Sequence, residues 1–447
     1  MADLLELSSR IIDSGVAEDP QNRVTQELSE VADGVAVIES FSHVISVATD
    51  DGLVAFDASG QGTGRAVVES LRGWSTAPVS HLVYTHGHAD HVGGSPAFVA
   101  DAAARGHPGP RVVAHENVPV RLDRYELTND WNVLINQRQF GWIPRDRGIA
   151  VGGGRRFVPD DVARPDDTYA DRHDLDVGGL RIELHHAKGE TDDHTWSWIP
   201  DRKIACVGDL FIWNFPNAGN PQKVQRFPED WAAALRTIAG HGPELMLPAH
   251  GLPIAGKERI ARVLGEAATA LEGIVRDVLA MMNAGASLDD IVHTVRVDDA
   301  LLGLPYLRPL YDEPEFVVRN VWRRYGGWWD TDPSHLKPAP AAAVATELAM
   351  LAGGADRLAT RAREIADADD LRLACHLIEL AAQAAPEDPE VHAVRADIYE
   401  RRRQRESSLM TKGIFAAAVR ESREQAGMEP DPARHDTGDS GLRPGRS

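Results

Sequence analysis

Cysteine is nearly absent from this chain: Cys206 and Cys375 are the only two in 447 residues. Two thiols in such different neighbourhoods do not build a disulfide scaffold, and they read as small buried residues suited to a reducing cytoplasm. Basic charge is also short, with 47 Lys and Arg against 68 Asp and Glu and a net charge of −21. That balance argues against nucleic acid as a general partner, since phosphate binding needs a basic surface. It leaves room for a small anionic substrate, because metal ions and a few basic side chains reverse the field inside a cleft. No run of about 18 apolar residues exists, which argues against a membrane span. Residues 1–20 carry Asp3, Glu6 and Asp13 and lack the apolar core of a signal peptide.

What the chain does have is 43% apolar and 26% charged content, typical of a soluble globular protein. Its length calls for two or three domains. The most informative stretch is Thr85-His86-Gly87-His88-Ala89-Asp90-His91-Val92-Gly93-Gly94. His86, His88, Asp90 and His91 fall within six residues, directly after the apolar run His81-Leu82-Val83-Tyr84. The arrangement reads as a strand ending in a loop, with metal ligands fanned out where the backbone leaves the sheet. Neutral imidazoles suit zinc and related first-row metals, and the carboxylate adds a harder oxygen. Gly87, Gly93 and Gly94 are expected to let the backbone turn tightly. A surface histidine cluster is the bland alternative; chance often makes one HxH pair but rarely this whole order.

This stretch resembles the HxHxDH signature of the metallo-β-lactamase superfamily. The chain in order agrees with that resemblance. Strand-like runs at 35–38, 44–48 and 53–56 form a meander, with Asp51-Gly52 as a hairpin signal and Asp57 closing the third strand near the site. The glycine-rich 60–65 lacks the residues of a phosphate loop and reads as a turn into a helix. A second β block starts with a hairpin at 175–184 and continues through 195–199 and 204–209. Helices are expected at 66–72, 95–104 and 228–239. Two β blocks, each trailed by helices, imply an α/β fold: an αββα sandwich with ligands at strand ends.

The expected divisions are a helical lead-in at 1–30, a catalytic sandwich at 31–256, an all-α domain at 257–427 and a disordered tail at 428–447. Residues 116–172, with Trp131, Trp142 and Gly152-Gly153-Gly154, are the least periodic and read as a lid over the cleft or a disordered insertion. Residues 339–343 read as a Pro/Ala linker, and 371–402 as one tetratricopeptide-like helix pair.

The superfamily resemblance implies further ligands at later strand ends. Gly189-Glu190-Thr191 sits where most members have Gly-His-Thr, so Glu190 replaces an imidazole, with His194 as the alternative. Gly208-Asp209 matches the step whose carboxylate bridges two metals, and Pro248-Ala249-His250-Gly251 matches the closing histidine. The first metal is then held by His86, His88 and Glu190, and the second by Asp90, His91 and His250. Asp209 bridges them, and Asp90 and Asp209 are the catalytic carboxylates. His115, His185 and His186 are given no ligand role. Two zinc ions are expected, with manganese or iron at the first site left open by the hard Glu190 oxygen.

Glu190 at this position resembles the alkyl sulfatases, as do Glu190-Thr191-Asp192-Asp193-His194-Thr195-Trp196 and the loop from Asn214 to Lys223. Trp322-Arg323-Arg324-Tyr325-Gly326-Gly327-Trp328-Trp329-Asp330 is similar to a segment entering that family's helical dimerisation domain. The resemblance implies hydrolysis of an alkyl sulfate ester to alcohol and sulfate by hydroxide on a binuclear zinc site. It also implies a small anionic substrate, a cytoplasmic homodimer joined through the helical domain, and neither nucleic acid nor membrane as partner. Asn217, Lys223 and Arg226 are candidate sulfate holders; Tyr325, Trp328 and Trp329 line an apolar entrance or belong to core or interface. Two departures stand out: some members carry Glu where this chain has Asp209, and many add a sterol-carrier-like domain after the last helix. The second counts against long alkyl chains. The competing readings are a hydrolase of another ester (lactone, thioester or phosphoester), an iron redox enzyme of the same fold, and a non-catalytic helical interaction protein.

Overall fold

In the computed structural model, residues 3–17, 21–140 and 156–429 are described. Leu28–Ala32 (β1), Val35–Ile38 (β2), Val44–Thr49 (β3), Gly52–Phe56 (β4), Val79–Val83 (β5), Arg111–His115 (β6) and Asp167–Tyr169 (β7) form one sheet, in that order. Arg172–Val177 (β8), Leu180–Ala187 (β9), His194–Ile199 (β10), Ile204–Gly208 (β11), Leu245–Pro248 (β12) and Ile254–Ala255 (β13) form the other, ordered from β13 back to β8. Pairing is parallel from β4 to β7 and between β11 and β12, and antiparallel elsewhere.

Burial follows this topology. Strands β4 and β11 are buried along their whole length, because both faces are covered; their sequences are accordingly apolar without alternation. Edge strand β8 alternates, turning Leu175 and Val177 inward and Arg172, Asp174 and Asp176 to solvent, which keeps the edge unattractive to other strands. Between the sheets lie Val47, Phe56, Val83, Ile182, Leu184 and Cys206. Outside the first sheet, Leu82, Tyr84, Val67, Phe98 and Leu122 join it to the helices Gly64–Trp74, Ser95–Ala104 and Asn117–Leu127. Outside the second, Trp196, Val207 and Trp231 pack with Leu4–Ser14, Pro228–His241 and Lys257–Asn283. The layers are therefore αββα, followed by helices alone. Among these, Leu371–Ala384 and Pro389–Arg405 share a separate core with Ala362, Ile365 and Val419.

Several local expectations change. The lead-in is helical over Leu4–Ser14 but ends in strand β1, so Asp57 closes the fourth strand, not the third. Within 116–172, Asn117–Leu127 and Asn129–Gln139 are helices. The second of these turns Asn132, Asn136 and Gln139 inward beside Ile135, so its buried face is largely amide and leaves no apolar period to read. Residues 141–155, including Trp142 and Gly152-Gly153-Gly154, lie outside the described residues, as do 430–447 of the expected tail. The linker is shorter than expected, since Ala341–Ala352 is already a helix.

The glycine pair after the histidine stretch serves a different purpose from a turn. Gly93 and Gly94 have φ of −65° and −85°, open to any residue. A Cβ on Gly94 would lie 2.0 Å from the Ala58 carbonyl oxygen and 2.9 Å from the Gly64 Cα. The pair thus permits close packing of the metal loop against the glycine-rich 60–64 turn. Gly94→Ala is expected to destabilise the fold by about 3 kcal/mol, the upper range for overpacking against backbone, as measured by urea unfolding.

Candidate metal centre

The candidate donors arrive from four strand ends: the stretch after β5, Glu190 after β9, Asp209 after β11 and His250 after β12. His86 Nε2 and His88 Nδ1 stand 2.8 Å apart. Glu190 Oε1 lies 3.7 Å from His88 Nδ1, and Asp209 Oδ2 lies 3.9 Å from His86 Nε2. Alongside, Asp90 Oδ2 is 3.6 Å from His91 Nε2 and 3.4 Å from His250 Nε2. Asp209 Oδ1 is 3.3 Å from His91 Nε2 and 3.5 Å from His250 Nε2. The seven side chains singled out from the sequence converge as two groups, with Asp209 facing both.

This donor set fits two divalent cations. Tetrahedral ligands about 2.1 Å from an ion stand about 3.4 Å from one another, the range these atoms occupy. His91 Nε2 and Asp209 Oδ1 are buried without a hydrogen-bond partner, an arrangement that a shared cation relieves. Burial holds the His86 and His88 imidazoles far below their usual pKa, hence neutral and free to donate lone pairs.

Neighbouring groups aim these donors. Asp57, almost wholly buried, lies 2.7 Å from His91 Nδ1 and accepts from the Thr85 amide (2.7 Å) and hydroxyl (2.8 Å). A carboxylate on Nδ1 keeps the proton there and turns Nε2 toward the site. Between His86 and His88, the Gly87 amide donates to Asp193 Oδ2 at 3.1 Å, and Arg121 Nε donates to the same oxygen at 2.7 Å. A Cβ on Gly87 would crowd both partners at about 3 Å, so here glycine does serve the loop.

His194 takes another position. Its Nε2 accepts from the Asp209 amide at 3.1 Å and its ring stacks on His86 at 5.0 Å, leaving Glu190 in the donor group. His115 and His186 stack on each other, and His185 on Trp196.

Asn217 and Arg226 line the cleft and both engage Glu190: Asn217 Nδ2 donates to Glu190 Oε1 at 2.5 Å, and Arg226 forms an ion pair with it. Burial pushes the Glu190 carboxyl up to about 7 against the pull of Arg226. Lys223 also lines the cleft, with Nζ 3.3 Å from Asn136 Oδ1 and 5.6 Å from the Phe157 ring centre. Among the described residues no carboxylate lies within 4 Å of it, and burial with the nearby Arg226 lowers its pKa to about 7.

The cleft is open to solvent. Phe41, Phe157, Leu310 and Leu409 supply apolar wall, while Asn136 and Gln139 supply amides. Gln139 Nε2 donates to the Tyr311 hydroxyl at 2.7 Å. None of these wall residues stood out in the sequence, because they come from four distant segments with no shared motif. Of the two places open to Tyr325, Trp328 and Trp329, the entrance is not where they lie: Tyr325 donates to Glu229 at 2.9 Å, Trp329 donates to the Asp332 carbonyl at 2.8 Å, and Trp328 is 70% exposed. Tyr325 is in the last turn of the helix Pro314–Gly326 and the tryptophans follow it, none of them lining the cleft.

Residues 37–250 match the family model described as metallo-beta-lactamase superfamily, and 287–425 match the one described as alkyl sulfatase dimerisation. Residues 37–250 are thus a metallo-β-lactamase superfamily domain. The chain is 27% identical to a linear primary-alkylsulfatase from Pseudomonas sp., over 75% of this chain and 65% of that protein. It is 23% identical to an alkyl/aryl-sulfatase from Saccharomyces cerevisiae, over 72% of this chain and 52% of that one. The solved structure of a stereoselective inverting sec-alkylsulfatase from Pseudomonas sp. superposes with a TM-score of 0.78 at 21% identity, covering 93% of this chain and 67% of the other. This chain thus spans less than two thirds of the curated relatives' lengths. No described helix is long and apolar enough to cross a membrane.

Asp57→Asn tests the aim of His91. Asparagine tolerates the left-handed backbone of this position, φ 61°, so the variant isolates the lost charge. Divalent-metal affinity, measured by chelator competition, is expected to fall about tenfold to a hundredfold.

Proposed function

We propose that this chain hydrolyses sulfate esters of alcohols at a binuclear divalent-metal centre, most simply zinc. The convergence of seven donors, including Glu190 in place of an imidazole, carries the reading; the names of the curated relatives support the ester class. On this reading His86, His88 and Glu190 hold one ion, Asp90, His91 and His250 the other, and Asp209 serves both. The ions, when bound, supply Lewis acidity and a hydroxide from water near neutral pH. Three donor carboxylates and that hydroxide would together balance two divalent ions, leaving the cleft-wall cations Arg226 and Lys223 to draw an anionic ester.

The protein's own part is orientation and charge. Asp57 and Asp193 hold the histidine loop, and Asn217 and Arg226 keep Glu190 in place. Lys223, with no carboxylate within 4 Å among the described residues, brings its ammonium to the cleft wall, where the sulfate oxygens are received together with Asn217 and Arg226. The apolar wall takes the alkyl part. Chelation is expected to abolish sulfate release and added zinc to restore it. Glu190→Ala is expected to lower release more than about a hundredfold, since a lost ligand costs more than a lost outer partner. Turnover of lactones, thioesters or phosphate esters with no sulfate released from any chain length would falsify the sulfatase reading.

We also propose a homodimer formed through residues 287–425. The helix Ala341–Ala352 buries only Ala345 and Ala349 and exposes Val344, Leu348, Met350 and Leu351, an apolar face that a second copy would cover. Sedimentation at micromolar concentration is expected to show a dimer, and Leu351→Glu a shift to monomer.

A further inference from the structure

The loop that restrains Glu190 is fastened to the helical part of the chain. Gly219 and Asn220 donate their amides to Asp312 Oδ2 at 2.6 and 3.2 Å, and the Glu313 amide donates to Asp312 Oδ1 at 2.8 Å. Asp312 is fully buried and has no Lys or Arg nitrogen within 4 Å among the described residues, so three amides carry its charge. It lies just ahead of the helix Pro314–Gly326. From that helix Asn320 donates to the Ala218 carbonyl (2.9 Å) and the Arg226 carbonyl (3.0 Å) and accepts from the Arg226 amide (3.3 Å). The approach is close: a Cβ on Gly219 would lie 2.4 Å from the Phe316 carbonyl carbon. Residues 310 and 311 are tied in turn to the last helix, Leu409–Gln425, by Leu409 N on the Leu310 carbonyl (2.8 Å) and Ser408 Oγ on the Tyr311 carbonyl (2.7 Å).

We propose that Asp312 is a positioning residue: by gripping Gly219 and Asn220 it sets Asn217 and Arg226 against Glu190, so that the helical region supports the metal centre. The inference rests on Glu190 being a metal donor, as proposed above. A rigid carboxylate accepting from two successive amides fixes both the place and the tilt of the loop. From Leu409 to Glu190 the route alternates short backbone segments, 310–312 and 217–219, with hydrogen bonds between buried or half-buried groups, so little slack separates the last helix from the donor.

The test uses the full-length protein, stripped of metal and titrated with cobalt(II), reading chelator competition and the visible spectrum of the bound ion. Asp312→Asn keeps the shape but turns an NH2 toward an amide donor. It is expected to weaken cobalt binding about tenfold and alter the spectrum, the lower range for a support removed from the ligand itself. Asn320→Ala releases the other end of the loop without changing charge and is expected to act likewise, which keeps the inference testable should Asp312→Asn fail to fold. Ile378→Val, in the separate helical core, controls for general destabilisation and is expected to leave spectrum and affinity unchanged. Wild-type affinity and spectrum in either loop variant that folds, with both lost in Glu190→Ala, would overturn the role of Asp312. An unaltered Glu190→Ala protein would instead overturn the metal reading beneath it.

Discussion

Three carboxylates, Asp90, Glu190 and Asp209, are gathered among buried imidazoles, and the repulsion between them is the condition the surrounding structure answers. In a low-dielectric interior like charges at this range do not coexist without compensation. Protons supply it when cations do not. His91 is held well above its ordinary pKa by Asp209, Asp57 and Asp90 against the cost of burial, and His250 is raised chiefly by Asp209 and Asp90. Asp90 and Asp209 are correspondingly lowered, His91 being the foremost influence on each after burial. Glu190 has no such imidazolium and rises toward neutrality despite Arg226. The same geometry that traps protons is one that cations would displace, which is why metal affinity here must depend on pH.

The sandwich makes that concentration of charge affordable by fixing it from outside. Parallel pairing of β4 with β5 and of β11 with β12 brings Asp57, the histidine stretch, Asp209 and His250 to one end of two facing sheets. Each sheet end is then locked by a short-range contact: Asp57 on His91 and Thr85, Asp193 on the Gly87 amide, His194 on the Asp209 amide. Gly94 and Gly64 remove the side chains that would hold the loop away from its neighbour. Donor geometry is thus a property of strand ends and their backbone amides, with little left to flexible side chains.

How much of this was legible depended on distance along the chain. His86, His88, Asp90 and His91 lie within one turn of backbone, so residue type and spacing alone made them a site. Glu190, Asp209 and His250 were found only by likeness to a family pattern, since nothing local distinguishes a glutamate after a hairpin from a solvated one. The sandwich was readable because buried parallel strands are apolar runs, whereas Asn129–Gln139 escaped notice because its inward face is amide. Asp57 was placed near the site, but its contact with His91 spans 34 positions and leaves no periodic trace. Residue type did not decide between entrance and core or interface for the tryptophans, for a related reason: aromatic content marks contact area without saying which surface it faces.

The cleft shows why a helical region matched to dimerisation belongs in any account of specificity. One wall carries Phe41 and Phe157 from the sandwich side of the chain, and another carries Leu310, Tyr311 and Leu409 from segments beyond residue 300. Between them, Lys223 and Asn136 present polar atoms beside the donors. On the proposed reading, an amphiphilic ester would enter such a cleft head-first, with its charge toward Lys223 and its apolar part between walls from two regions. The segments of the second wall are held to each other by the Leu409 amide on the Leu310 carbonyl and the Ser408 hydroxyl on the Tyr311 carbonyl, contacts that involve none of the candidate metal donors. If the chain acts on such esters, selection of the alkyl group would be physically separable from the chemistry at the ester, and substitutions along the 309–313 strap would alter the first through the wall and the second only through the grip on Gly219 and Asn220.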